Sequence, residues 1–137
     1  MDTLLSTRPD TGACKADVLD RPHLARYTLG DAALEAEILE LFVRQAPVTM
    51  SRLTKSCDDR QWREAAHTLK GSARAVGAKR LAATAEACER IDRRTSPGAV
   101  EGCLGDVADA YAEVAALIDQ ICRDAGRQLH CAQLAHA

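Results

Sequence analysis

An apolar stripe at helical spacing runs through the last third of the chain. Its members recur every three or four residues and are Val100, Cys103, Leu104, Val107, Tyr111, Val114, Leu117, Ile118 and Ile121. Residues at this spacing lie on one face of an α-helix. Because such a face has to be buried against other elements, the rest of the chain must supply its partners.

Capping residues and helix stops mark these partner helices. Asp20, followed by Pro22, begins a short helix that ends at Gly30. Asp31 caps a long helix, in which Pro47 predicts a kink or a break. The apolar residues expected on the buried face of this helix are Leu34, Ile38, Leu41, Phe42, Val48 and Leu53.

Two more helices lie between this long helix and the C-terminal stripe. Asp58 or Asp59 caps the first of them, and Gly77 ends it. The second is marked by Leu81, Ala85, Cys88 and Ile91. A break over 95–98, with Ser96 as N-cap, precedes the last helix, and no stretch has a strand pattern. These elements predict an all-α fold, an antiparallel up-down four-helix bundle with a short extra N-terminal helix.

Length and charge narrow the class of protein further. A chain of 137 residues is expected to form one domain, here over 17–125, with a disordered leader at 1–16 and a flexible tail at 126–137. The net charge of −2 gives no general attraction to nucleic acid, and no apolar run is long enough for a membrane span. The N-terminus lacks the basic and apolar regions of a signal peptide. We therefore expect a cytoplasmic protein that binds neither nucleic acid nor membrane.

The six cysteines contain no CxxC pair. Cys88, Cys103 and Cys122 fall in or beside apolar stripes, where a free cysteine acts as a small hydrophobic residue. Because the cytoplasm keeps thiols reduced, we expect no disulfide. The tail contains His130 and Cys131 but lacks the paired spacings of zinc modules, so no metal site is predicted.

The stretch EAAHTLKGSARAVG, residues 64–77, places a glycine inside a helix one turn after a histidine. Glycine in a helix interior costs roughly 1 kcal/mol relative to alanine. The apolar face of this helix consists of Trp62, Ala65, Leu69, Ala73 and Val76, which leaves His67 on the opposite, exposed side. Helical side chains lean towards the N-terminus, so a side chain at position 71 would cover His67. Gly71 therefore leaves the imidazole open to a bulky partner.

Charged residues surround this histidine on the helical wheel. Lys70 can lean back and place its ammonium beside a phosphoryl group on the imidazole. The residues expected to serve partner docking or charge balance are Arg60, Arg63, Glu64 and Arg74. Glu64 is the only acidic residue that the wheel places near His67.

The segment AAHTLKGSARAVGAKRL resembles the signature of the histidine phosphotransfer (HPt) domain family. The matching positions are His67, Lys70, Gly71, Ser72, Ala73, Val76, Gly77, Ala78 and Leu81. The likeness covers about residues 18–122, and it implies a four-helix bundle with the phosphorylated histidine exposed midway along one helix. It also implies that His67 accepts the phosphoryl group, that Lys70 supports the phosphate and that Gly71 provides clearance.

The resemblance also implies the partners. Proteins of this family take a phosphoryl group from the aspartate of a receiver domain and pass it to another receiver in a multistep phosphorelay. The receiver supplies Mg²⁺ and most of the catalytic machinery, so we expect no cofactor and no ATP-dependent kinase activity in this chain. The expected partners are response-regulator receivers and a sensor or hybrid histidine kinase, with the chain itself monomeric.

Four other interpretations compete with this one. A phosphorylatable module of a larger chemotaxis-type kinase has a similar His-x-x-Lys-Gly pattern. A non-catalytic binding bundle has no need of His67, Lys70 and Gly71 together. A His/Cys metal protein requires inward-facing ligand pairs, which are not found. The dimerising helices of a histidine kinase carry an acidic residue after the histidine, where this chain has Thr68.

Overall fold

The computed structural model describes residues 15–94 and 97–126. Its helices are α1 (Lys15–Val18), α2 (Arg21–Thr28), α3 (Ala32–Thr54), α4 (Asp59–Val76), α5 (Lys79–Glu89) and α6 (Pro97–Asp124). The described residues contain no strand, which confirms the all-α prediction. Within these ranges, every helix is too short or too polar to span a membrane. Ser96, most of the predicted leader and the tail from residue 127 lie outside the described residues.

The predicted helix starts are confirmed at three aspartates. Asp20, Asp31 and Asp58 are the N-caps of α2, α3 and α4, and each side chain accepts a hydrogen bond from a backbone N–H in the first turn. Of the two candidates for α4, the cap is Asp58, while Asp59 is the first residue of the helix. These bonds satisfy donors that have no partner within the helix.

Helices α3 to α6 form the bundle. Each packs against the next, and α3 also packs against α6, which closes the arrangement. Each helix contributes a fully buried apolar side chain to the core, namely Leu39, Leu69, Leu81 and Ile118. Burying a side chain of this size contributes about 1.5–3 kcal/mol. Helix α2 packs against α3 and α4.

The predicted buried face of α3 is partly wrong. Phe42 and Leu53 are buried as expected, but Leu34, Leu41 and Val48 are 40%, 48% and 55% exposed. The true inner face includes small and polar residues, among them Ala36, Ala46 and Thr49. It also includes Leu39 and Val43, so α3 carries large apolar side chains on more than one side, and their periodicity alone does not decide which side is buried.

Pro47 lies within α3, and of the two predicted outcomes, a kink or a break, the helix does not show the break. Proline has no N–H and cannot donate to the carbonyl of Val43, four residues earlier. The hydroxyl of Tyr111 on α6 donates a hydrogen bond to this carbonyl at 2.9 Å. A side chain from the facing helix thus replaces the backbone donor that proline removes, and the helix continues from Ala32 to Thr54.

Gly77 ends α4 in the left-handed conformation, with φ of 87°, as its prediction as a C-cap requires. The N–H of Ala78 donates to the carbonyl of Ala73 at 2.8 Å, and that of Gly77 donates to the carbonyl of Arg74 at 3.1 Å. A Cβ at position 77 would lie 2.8 Å from the carbonyl oxygen of Asp20. Both the backbone conformation and this close approach require glycine here.

Cys88 and Cys103 form a disulfide, so the expectation that these thiols are reduced is wrong. Cys88 lies in the last turn of α5 and Cys103 near the start of α6. Their Cα atoms are 5.7 Å apart, within the range that a disulfide spans. The sequence placed both residues on apolar stripes, and both are buried, but it did not reveal that the two positions face each other.

Candidate functional site

His67 lies near the middle of α4, and its side chain is 69% exposed. The opposite face of the helix is buried in the bundle through Trp62, Ala65, Ala66, Leu69, Ala73 and Val76. This burial fixes the rotation of α4 about its axis, so the imidazole is held on the outside. The predicted exposure of His67 is confirmed.

Glu89, at the end of α5, links His67 to Lys70. Its Oε2 lies 3.1 Å from Nδ1 of His67, and its Oε1 accepts a hydrogen bond from Nζ of Lys70 at 2.7 Å. The side chains of Glu89 and Lys70 are 25% and 14% exposed, whereas the imidazole reaches solvent. The three residues form one hydrogen-bonded group with the histidine as its outermost member.

Sequence reasoning missed Glu89, although the chain carries a signal for it. His67 lies 11 residues before Ala78 and Glu89 lies 11 residues after it. In an antiparallel helix pair with a tight connection, residues at equal distances from the turn are neighbours. The predicted stop at Gly77 therefore pointed to the region around residue 89 as the neighbour of His67.

The carboxylate of Glu89 is held in its charged form. Its hydrogen bond with Lys70 is the main cause that lowers the pKa of Glu89 below the ordinary value, and His67 lowers the pKa further. Partial burial opposes the shift but is outweighed. An ionised carboxylate can only accept hydrogen bonds, so the proton in its contact with His67 belongs to Nδ1. The lone pair of the neutral imidazole is then on Nε2, the nitrogen that Glu89 does not contact.

Gly71 is exposed one turn after His67. A Cβ built at this position has no heavy atom of another residue within 4 Å beyond the local backbone. Close packing of a neighbouring helix therefore does not explain the glycine. The open space on this side of His67 is available to another molecule.

The predicted docking residues divide into paired and unpaired side chains. Arg60 donates to Glu64 at 3.2 Å within α4, and both are strongly exposed. Arg74 lies 3.5 Å from Glu86 of α5, whereas Arg63 is exposed and forms no ion pair within residues 15–94 and 97–126.

The expectation that Glu64 is the only acidic residue near His67 is wrong. Helix α5 brings Glu89 to the imidazole and Glu86 to the same side of α4. A helical wheel of α4 alone contains no information about the charges of its neighbour. The surface around His67 is consequently closer to neutral than the sequence of α4 indicates.

A groove of about 1110 Å³ lies between α3 and α4 beside the histidine. Its lining residues are Pro47, Val48, Ser51, Arg52, Lys55, Gln61, Glu64, Ala65 and Thr68. Thr68 directly follows His67, and Glu64 lies one turn before it. The exposed apolar residue Val48 thus lies in a groove that Thr68, the neighbour of the histidine along α4, also lines.

Comparison with known protein families identifies the family of this chain. The family model for the Hpt domain matches residues 37–137, which is more than half of the chain. No curated protein and no solved structure matches the chain.

Proposed function

The chain belongs to the Hpt domain family, and from this premise we propose that His67 accepts a phosphoryl group from the aspartate of a receiver domain and passes it to another receiver. Domains of this family carry phosphoryl groups in two-component relays, as phosphocarriers rather than kinases. The observation that carries the assignment to His67 is its exposed imidazole, paired at Nδ1 with Glu89.

The proposed reaction uses Nε2 of His67 as the nucleophile. Nε2 attacks the phosphorus of the receiver's aspartyl phosphate, the N–P bond forms, and the P–O bond to the aspartate breaks with its electron pair. The receiver keeps a free carboxylate. The Nδ1 proton stays in place, so the phosphorylated ring carries a positive charge that the Glu89 carboxylate offsets at 3.1 Å. Transfer to the next receiver is the reverse of this step.

Lys70 has two roles in this proposal. Its hydrogen bond to Oε1 orients Glu89 and keeps the carboxylate ionised. An ammonium group has three donors, so the contact with Glu89 leaves others for the oxygens of a phosphoryl group on His67. Gly71 leaves room for the receiver that delivers the phosphoryl group, which the open space at its Cβ position supports.

The docking surface for the receiver extends from His67 across the groove to the apolar residues of α3. Leu34, Leu41 and Val48 are exposed at intervals of seven residues, so they lie on one side of the helix. Val48 shares the groove with Thr68, which connects this side with the histidine. Exposed apolar residues next to a reactive group are typical of a protein interaction site. Among the charged candidates Arg63, which has no ion pair within the described ranges, is the one best suited to a partner.

We infer that the receiver supplies Mg²⁺, which binds at the aspartate that loses the phosphoryl group. The chain acts as a monomer in the cytoplasm, between a sensor or hybrid histidine kinase and response-regulator receivers.

Transfer of labelled phosphate tests the proposal. The protein is incubated with a panel of phosphorylated receivers, and the label should move to it in an acid-labile, base-stable form. His67→Gln should abolish the transfer with an unchanged circular dichroism spectrum, because the exposed side chain makes little contact with the core. His23→Gln is the matched control and should transfer like the wild type. Labelling that persists in His67→Gln contradicts the assignment.

A further inference from the structure

The position of Glu89 depends on the turn of helix that precedes it. Cys88, the residue before Glu89, is completely buried, whereas Glu89 points outwards to His67. The backbone of this turn therefore connects the core of the bundle to the reactive histidine. Any contact that holds the backbone at Cys88 also limits where the carboxylate of Glu89 can lie.

Trp62 makes such a contact from α4. Its indole N–H donates a hydrogen bond of 2.7 Å to the carbonyl of Cys88, and the tryptophan is only 1% exposed. The same carbonyl also accepts from the N–H of Ile91 at 3.2 Å. Carbonyls in the last turn of a helix lack donors from the helix itself, so side-chain donors are effective there.

The surroundings of Trp62 hold the indole in this position. The guanidinium of Arg93 lies 5.6 Å from the centre of the ring and donates to the carbonyl of Ser56 at 3.0 Å. Trp62 and His67 lie on opposite faces of α4. Helix α4 therefore contacts the end of α5 at two places. The indole of Trp62 bonds it in the core, and the imidazole of His67 contacts it at the surface.

We propose that Trp62 is a positioning residue for phosphotransfer, because its indole N–H fixes the Cys88 carbonyl and thereby holds Glu89 against Nδ1 of His67. This inference rests on the proposed function of His67. Trp62 itself contacts neither the imidazole nor the phosphoryl group. Its effect on the reaction passes through Glu89 alone.

Trp62→Phe removes the indole N–H and keeps an aromatic ring in the core. We expect transfer from a phosphorylated receiver to slow about three- to tenfold, the range that corresponds to loss of one hydrogen bond in the buried support. The nitrogen and proton resonances of His67 should also shift towards a mixture of the two neutral tautomers. This spectroscopic change needs no phosphate and reports the His67–Glu89 contact directly.

Tyr111→Phe is the matched control. It removes another side-chain hydrogen bond to a helix carbonyl, that of Val43, on a different pair of helices. All variants are assayed well below their melting temperatures. The control should leave both the transfer rate and the His67 resonances unchanged, and equal slowing in the two variants would show that Trp62 acts only through general stability.

A double-mutant cycle with Glu89→Gln gives the decisive result. If Trp62 acts through Glu89, adding Trp62→Phe to Glu89→Gln should slow transfer no further. Additive effects, or a single Trp62→Phe variant with unchanged rate and resonances, overturn the inference. A wild-type protein that accepts no phosphate from the receivers contradicts the proposed function instead.

A second substitution covers the case in which Trp62→Phe does not fold. The chain contains one tryptophan, so an analogue can be incorporated at this position alone. Benzothienylalanine has nearly the shape of tryptophan but carries sulfur in place of the N–H group. It should slow transfer and shift the His67 resonances in the same way, and wild-type behaviour of this protein rejects the proposal.

Discussion

Nδ1 of His67 lies 3.1 Å from Oε2 of Glu89, across the contact between α4 and α5. This contact selects the imidazole tautomer, and in the proposed reaction it leaves Nε2 as the nucleophilic nitrogen. It also places a negative charge beside the ring, which would offset the positive charge that the proposed phosphorylation gives the imidazole. The site therefore depends on two helices, although the motif that marks it lies in one.

Replacing Glu89 by Gln tests the importance of this charge. The amide has nearly the same size but no charge, so it supports the phosphorylated, positively charged ring less well. Hydrogen bonds to charged groups contribute about 1.5–3 kcal/mol, which corresponds to transfer slower by about ten- to a hundredfold. The rate is measured by quenched-flow with a phosphorylated receiver. The matched control is Glu113→Gln, whose carboxylate pairs with Arg80 on another part of the bundle, and a rate equal to the wild type in both variants contradicts the role of Glu89.

The ion pair of Lys70 with Glu89 predicts a specific pH dependence of stability. The folded-state pKa of Glu89 is below its ordinary value of 4.5, chiefly because of Lys70. The pair therefore stabilises the fold fully above about pH 4.5, and this contribution is lost as the pH falls through the folded-state pKa.

Lys70→Met removes the main cause of this shift. The difference in melting temperature between the wild type and the variant should be larger at about pH 6 than at about pH 3. Thermal denaturation followed by circular dichroism measures it. A difference that stays constant over this range would show that the ion pair does not contribute through the charge of Glu89.

Substitutions of Gly71 are expected to affect the stability of the fold and the access of a receiver to His67 in opposite directions. Gly71→Ala should raise the free energy of unfolding by up to about 1 kcal/mol, because alanine is the better helix former and its methyl group meets no other side chain. Transfer from a receiver should slow nevertheless, and more so in Gly71→Gln, whose longer side chain leans towards His67. Denaturant unfolding and transfer rates are measured on the same samples. Wild-type transfer by Gly71→Gln rules out clearance as the function of this glycine.

Tyr111 and Pro47 form a pair whose contribution a double mutant can isolate. Tyr111→Phe leaves the Val43 carbonyl without its hydroxyl donor and should cost about 1–3 kcal/mol of stability. With Pro47→Ala in addition, residue 47 regains an N–H that can bond this carbonyl, so the loss should be smaller in that background. Urea unfolding of the four proteins measures the coupling. If Tyr111→Phe costs the same stability with proline and with alanine at position 47, the hydroxyl does not replace the missing backbone donor.

Features of the fold that depend on local signals could be predicted from the sequence. The aspartate caps, the stop at Gly77 and the exposed side of His67 each follow from a few neighbouring residues, and all were predicted correctly. The contacts between helices could not be predicted in this way. Glu89 beside His67, the Cys88–Cys103 disulfide and the exposure of Val48 depend on the rotation and register of two packed helices. A pattern within one helix does not fix these quantities when much of the core face is alanine.

The most direct test of the account is nuclear magnetic resonance of the ¹⁵N-labelled protein after phosphorylation by a receiver. Coupling between phosphorus and ring nitrogen identifies both the residue and the atom that carry the phosphoryl group. The phosphoryl group is expected on Nε2 of His67, with Nδ1 still protonated because of Glu89. A phosphoryl group on Nδ1 of His67, or on another histidine such as His23, would contradict it.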